Sequence, residues 1–216
     1  MEEIVLIGFG GHAKSIIDTI EANEKYKIAG ILEKRKEDGK IYRGYHIIGT
    51  DDDMEDLYRD GIKNAFVAIG YVGLSHIRNH IYKRLKRIGY TLPTIIDPSA
   101  VVARDAVIGE GSFIGKRAVI NSDAFVGKMC IINTGAVLEH ECMVGDFSHI
   151  SVGTILCGQV HVEDNSFIGA GSTVIQEIHI GRYSIIGAGS KVIKNVEEYT
   201  MVYDKAERIV RREDFR

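Results

Sequence analysis

Residues Ala100 to Asn195 read, in sixes, AVVARD, AVIGEG, SFIGKR, AVINSD, AFVGKM, CIINTG, AVLEHE, CMVGDF, SHISVG, TILCGQ, VHVEDN, SFIGAG, STVIQE, IHIGRY, SIIGAG and SKVIKN. The third residue of every hexad is Val, Ile or Leu, and the first is Ala, Ser, Cys or Thr in all but two. A small residue leaves room at each tight corner while the aliphatic one fills an interior. A six-residue period kept without a slip is the signature of a parallel β-helix, in which each coil buries its apolar side only by stacking on the next. Three hexads close one triangular coil, so the run from Ala100 to Val196 gives a little more than five coils. Gly at the fourth position, in IGEG, VGKM, VGDF and IGRY, predicts a turn that needs backbone freedom there.

Upstream of the repeat the composition changes. The only two prolines, Pro93 and Pro98, fall in TLPTIIDPSA and mark the boundary. This divides the chain into residues 1–92, a β-helix over 93–196 and a charged tail over 197–216 ending in ERIVRREDFR. The first segment alternates strand and helix patterns: a buried strand at Glu3–Ile7, the turn GFGGHA, a helix at Lys14–Ala22 with Ile16, Ile17 and Ile20 on one face, and a strand at Ile28–Leu32. An acidic helix start at Asp51–Asp53, a strand at Ala65–Ile69 and a helix from about Ser75 to Ile88 follow, which predicts a small parallel α/β sheet, half of a Rossmann-like unit.

Gly8, Gly10 and Ala13 match the GxGxxG/A spacing after a strand, with Glu33 at the place of the acidic partner. Such a turn lets backbone N–H groups and a helix N-terminus approach any nucleotide diphosphate. A nicotinamide-linked oxidoreductase is the alternative reading, but about 90 residues hold only half of a doubly wound sheet. Gly70, ending VAIGY, belongs at the carboxyl edge of its strand beside the same crevice, and Lys34, Arg35 and Lys36 could meet a phosphate.

Net charge is −3, so no overall positive field attracts nucleic acid or anionic lipid. The start MEEIVLIGFGG carries acids and a run only a strand long, unlike a signal peptide or membrane span, and a cytoplasmic protein is expected. Three cysteines, Cys130, Cys142 and Cys157, form no CxxC pair and imply neither a disulfide framework nor a zinc knuckle.

The repeat is interrupted at AVLEHE, where Glu139, His140 and Glu141 replace the usual turn residues; His149 follows in SHISVG. By the coil length, Gly158 sits one coil above His140, so its N–H could face a carbonyl as charge develops there.

The hexads resemble those of the hexapeptide-repeat acyltransferases, whose β-helix is left-handed against the usual preference for right-handed crossovers. Within that family, NTGAVLEHECMVGDFSHISVG and GFGGHAK look like the sugar acyltransferases that N-acetylate nucleotide-linked 4-amino sugars or O-acetylate sialic acid. The resemblance implies a homotrimer with acetyl-CoA as co-substrate, no metal, and active sites between subunits. It assigns the general base to His140 and the carboxylate that raises its basicity to Glu141, with Glu139 competing. It further implies Asn133 and Thr134 at the sugar, His149, Ala170 and Ala188 at acetyl-CoA, and Gly10, Gly11, His12, Glu33, Lys34 and Gly70 at the nucleotide end. Two departures stand out. Relatives that bind UDP-sugars have paired Asp where this chain has Glu33 and Lys34, and a Gly-x-Pro-Ala-Lys loop beside CoA is here MVYDKAERI. A covalent role for Cys142 is set against its first-position place in the packed corner. A zinc site built from His161 and His179 with His140 or His149 is set against their spacing over different faces.

Overall fold

The computed structural model describes residues 1–34, 41–72 and 76–203. Arg35, Lys36, Ser75 and the tail segment ERIVRREDFR lie outside them. The first unit is a sheet of strands β1 (Glu2–Ile7), β2 (Tyr26–Leu32), β3 (Ile41–Tyr42), β4 (Tyr45–Gly49) and β5 (Asn64–Val67), in the order β3-β4-β2-β1-β5. β4, β2, β1 and β5 run parallel, and only β3 is antiparallel, against β4. Helix α1 (Gly11–Asn23) buries Ile16, Ile17 and Ile20 on one side of the sheet. Helices α2 (Met54–Arg59) and α3 (His76–Ile88) cover the other through Met54, Ile81 and Leu85. Among the described residues the sheet has no second, nicotinamide-binding half. The β3–β4 hairpin is absent from the sequence reading. Its signal is the two-residue turn Arg43-Gly44 between tyrosines, with φ of 50° and 84°, as a twist-matched hairpin turn requires.

The rest is a three-faced parallel β-helix of two-residue strands. The first face stacks Val101, Val119, Val137, Ile155, Thr173 and Lys191 outward; the second stacks Val107, Phe125, Met143, His161 and His179; the third runs from Ile95 through Phe113, Ile131, His149, Phe167 and Ile185 to Met201. Partners are eighteen residues apart along the repeat, as in Val119 with Val137 and Ile131 with His149. Third-position residues from Ile114 to Val192 form one buried column. Stacking continues past the hexads, with Met201 and Val202 pairing with Ile185 and Ile186.

The turn chemistry differs from the expectation. Positive φ falls at the sixth position of every hexad from Gly111 to Gly189, including Arg117, Asp123, Met129, Gly135, Glu141 and Phe147. The fourth-position glycines serve close approach instead: a Cβ on Gly109 would lie 2.6 Å from the Gly127 carbonyl carbon, and one on Gly169 2.4 Å from the Ala188 nitrogen. Coils stack closely enough at those corners to exclude a side chain.

The two units are clamped together. Phe113, Ile131 and Ile95 join the core beneath α1. Thr19 donates to Asp97 at 2.8 Å, and Lys116 bridges Asp18 and Asp97 at 2.6 and 3.3 Å.

Candidate active site

At the carboxyl ends of β1 and β5 the chain opens into a cleft of about 880 Å³ between the sheet and the third face of the β-helix. Gly8, at φ +100°, turns the chain, and a Cβ there would meet Ile69 at 2.5 Å. Gly10 caps α1 without a side-chain hydrogen bond, and neither Gly10 nor Gly11 has an atom within 4 Å of where a Cβ would sit. Gly10, Gly11 and His12 line the cleft, and the first N–H groups of α1, which a helix leaves without carbonyl partners, are available there to an anion. Glu33 accepts from the Phe9 N–H at 2.8 Å and the Lys34 N–H at 3.1 Å, so its carboxylate braces the glycine turn. Gly70 is a glycine because a Cβ would lie 2.8 Å from that of His12.

The cleft brings Gly10, Gly11, His12, Glu33, Lys34, Gly70, Asn133, Thr134 and His149 to one place. His12 is turned inward, edge-on to Phe113 with ring centroids 5.2 Å apart, and its Nε2 has no partner among the described residues. Burial, with the charge of Arg78, holds it neutral by pushing its pKa down to about 3. His149 is likewise neutral, its pKa pushed by burial to about 4 although the hydrogen bond to Tyr71 opposes this. With Nδ1–H donating to the Tyr71 carbonyl at 3.0 Å, Nε2 is left to accept from Asn133 Nδ2 at 3.3 Å.

Sequence reading missed the pair that supports this floor. Tyr71 donates its hydroxyl to the Phe147 carbonyl and packs its ring on His149 and Phe167. Arg78 is fully buried and donates to the carbonyls of Val67, Ile69 and Met129 at 3.1, 2.7 and 2.7 Å, tying the end of β5 to a β-helix corner. Its signal is phase: Arg78, Ile81 and Leu85 share the buried face of α3, where a cation needs a reason.

His140 and Glu141 do not line this cleft. They occupy the corner between the first and second faces, whereas Asn133, Thr134, Ala170 and Ala188 occupy the corner between the third and first. His140 Nδ1 lies 3.1 Å from Glu141 Oε2, which also accepts from Gln159 Nε2 at 3.0 Å. Among the described residues Glu139 does not pair with the ring. The imidazole lies over Gly158, where a Cβ would come within 2.5 Å of Nε2. The Gly158 carbonyl is taken by Glu177 N–H, while its own N–H has no partner among the described residues.

The other reactive groups are structural. Cys142 is buried with its thiol pushed up to about 11, against the Cys157 carbonyl at 3.1 Å, and Cys130 is pushed up to about 12, both by burial. His161 and His179 stand edge to face on the second face with centroids 5.0 Å apart, and Glu163 accepts from His179 at 3.1 Å. His149 faces elsewhere, and among the described residues no three His, Cys, Asp or Glu are grouped to hold a metal ion. No described helix is long and apolar enough to cross a membrane.

A small α/β unit with a glycine turn, docked on a β-helix of six-residue repeats, matches the hexapeptide-repeat sugar acyltransferases. Residues 3–85 match the PglD N-terminal domain, 106–146 the hexapeptide repeat of succinyl-transferase, and 159–194 the six-repeat bacterial transferase hexapeptide. UDP-N-acetylbacillosamine N-acetyltransferase of Bacillus subtilis (strain 168) is 36% identical over 117 residues, 53% of this chain and 51% of that one. The match thus spans about half the length of that curated relative. A histidine-to-asparagine variant of perosamine N-acetyltransferase from Caulobacter crescentus, in complex with CoA and GDP-perosamine, is 32% identical with a TM-score of 0.88 over 93% of each chain. The acetyltransferase domain of PglB from Neisseria gonorrhoeae, with acetyl coenzyme A, is 28% identical with a TM-score of 0.84 over 93% of this chain and 95% of that one. The chain belongs to the family of left-handed β-helical N-acetyltransferases that includes perosamine N-acetyltransferase.

Proposed function

We propose that this protein transfers the acetyl group of acetyl-CoA to the amino group of a nucleotide-linked 4-amino-deoxy sugar, in the cytoplasm, as a homotrimer built from the division at residues 92/93 and 196/197. The observation that carries the reading is the His140–Glu141 pair lying over Gly158.

A sugar ammonium has no lone pair to attack a thioester until a base takes its proton, and histidine suits that task near neutral pH. Glu141 holds Nδ1–H, which keeps Nε2 as the basic nitrogen. Nε2 accepts the ammonium proton, the freed nitrogen bonds to the thioester carbon, and the C–S bond breaks. The sulfur leaves with the proton returned by the imidazolium, and the second proton of the now cationic nitrogen passes through Nε2 to solvent, giving the amide, CoA thiol and one released proton. The unpartnered Gly158 N–H can receive the oxyanion between these steps.

Binding divides between two corners. The N–H groups at Gly10, Gly11 and His12 would take the diphosphate, with Glu33, Lys34 and Gly70 at the base-and-ribose end and Asn133 and Thr134 toward the sugar. Ala170 and Ala188 stand one above the other at a corner, above Thr134 and Val152 in the same column, and their small side chains leave space for a pantetheine arm, with His149 assigned to acetyl-CoA as well. Because His140 sits on the other corner, one chain supplies two half-sites flanking the first face. That face shows apolar Val101 and Ile155 to solvent, 63% and 40% exposed. Packing three such faces about an axis would set His140 of one subunit beside the cleft of the next.

Thiol release from acetyl-CoA with a panel of UDP-, dTDP- and GDP-linked 4-amino sugars tests the activity. Release dependent on one of them supports it; release with free sialic acid and none of these amino sugars overturns it.

A further inference from the structure

A second concavity, of about 450 Å³, lies between α2 and α3, lined by their residues and not by those of the nucleotide cleft. α3 carries five cations and no acid over thirteen residues, in a chain of net charge −3. Two have other duties: Arg78 is buried, and Lys86 pairs with Glu110 at 2.8 Å. The remaining three, Lys83, Arg84 and Arg87, converge on the groove with His80, and Arg59 joins them from α2. A helix C-terminus attracts cations, which accounts for Lys86 and Arg87 in the last turn of α3 and for Arg59 in that of α2, but not for Lys83 or Arg84. Among the described residues Lys83 and Arg87 have no acidic partner. Four cations face one carboxylate, Glu55, in this concavity, and such an excess of like charge repels itself unless a further anion joins it.

We propose that this groove is a binding site for a small phosphate-bearing ligand, with the guanidinium groups of Arg59, Arg84 and Arg87 and the Lys83 ammonium around the phosphate oxygens. Guanidinium forks match phosphate geometry, and charge-assisted hydrogen bonds of this kind are roughly twice as strong as neutral ones. Tyr58 and Ile88 supply an apolar wall for the ligand's body. Tyr58 is held rigid, edge-on to Tyr90 with centroids 5.1 Å apart.

The rim decides the size of the ligand. Asp52 is 92% exposed beside Arg84 at 3.5 Å, and Asp56, 65% exposed, pairs with Arg59. With Glu55, which lines the groove itself, they form an acidic edge on its α2 side. An extended polyanion or an anionic bilayer would have to lie across these carboxylates; a compact phosphate ester enters between them.

The site stands apart from the catalytic residues and does not rest on the acetyl-transfer reading. Isothermal titration of the full-length protein with inorganic pyrophosphate tests it, alongside sedimentation with phosphatidylcholine vesicles containing phosphatidylglycerol. The expected result is saturable pyrophosphate binding that weakens by roughly tenfold or more in the Lys83→Ala/Arg87→Ala double variant, two charge-assisted contacts being lost. Lys83→Arg should retain it, acetyl transfer by the double variant should be unchanged, and vesicles should bring down no protein. Equal affinity in wild type and double variant would place the anion in the glycine cleft and overturn the proposal. So would an absence of binding to wild type, or pelleting with anionic vesicles in place of pyrophosphate binding.

Discussion

The cleft and the His140 corner use histidine in opposite ways. In the cleft His149 is buried and His12 half-buried; both are neutral and fixed by aromatic or carbonyl neighbours, so they shape a wall. At the corner His140 is 60% exposed, held through one ring nitrogen and free at the other, which suits a group that must take up and return a proton. A binding wall can be completed within one chain. On the proposed reading, a corner this open would acquire its dry surroundings from a neighbouring subunit.

The largest effect expected is on the corner alone. His140→Ala should lower turnover by about 10²–10⁴-fold at neutral pH, the usual contribution of a general base, while light scattering still reports a trimer. Near wild-type turnover would remove His140 from its role, and a stable monomer would count against a shared site. Gly158→Ala should cost about 10²–10³-fold in kcat, because the new methyl group displaces the ring and screens the amide; an unchanged kcat would mean the oxyanion lies elsewhere.

The cleft histidines should show in stability instead. Their folded pKa values lie below the ordinary 6.5, so the unfolded chain binds more protons than the native one as pH falls. The stability they protect is fully present above about pH 6.5 and drains as pH drops toward 4, by up to roughly 3 kcal/mol for His149. Chemical denaturation at pH 7 and 4.5 measures it, and His149→Asn should flatten the slope. A wild-type profile level across that range would mean that these rings are protonated in the native state. The smallest effect is predicted for Gln159→Ala, a severalfold loss with a shifted pH–rate profile, since Gln159 only positions Glu141; an unmoved profile would make that hydrogen bond incidental.

The β-helix was legible because its period is local: the aliphatic third position recurs every six residues and lands in the core column without exception. Its turn geometry was less so. The left-handed sixth position is filled by Arg117, Met129, Glu141 and Phe147 as readily as by glycine, and so leaves no compositional mark. In the first unit the glycine turn and Glu33 were readable from spacing along one strand-turn-helix. Arg78 and Tyr71 were not, because the carbonyls they meet, at Met129 and Phe147, lie far along the chain. The split between the two corners was hidden for a related reason: His140 and Asn133 are only seven residues apart, yet a chain that turns every six residues carries them around the prism.

That winding has a consequence for how such a protein can change. The core column is indifferent to which face a hexad occupies, since every third residue is aliphatic on all three. Deleting one hexad upstream of His140 would leave the packing code intact while turning His140, His149 and Ala170 one face around relative to the α/β unit. Deleting three would restore their bearings and only shorten the stack. Lineages of this architecture can therefore gain or lose length in whole coils silently, whereas a single lost hexad yields a well-packed molecule aimed the wrong way.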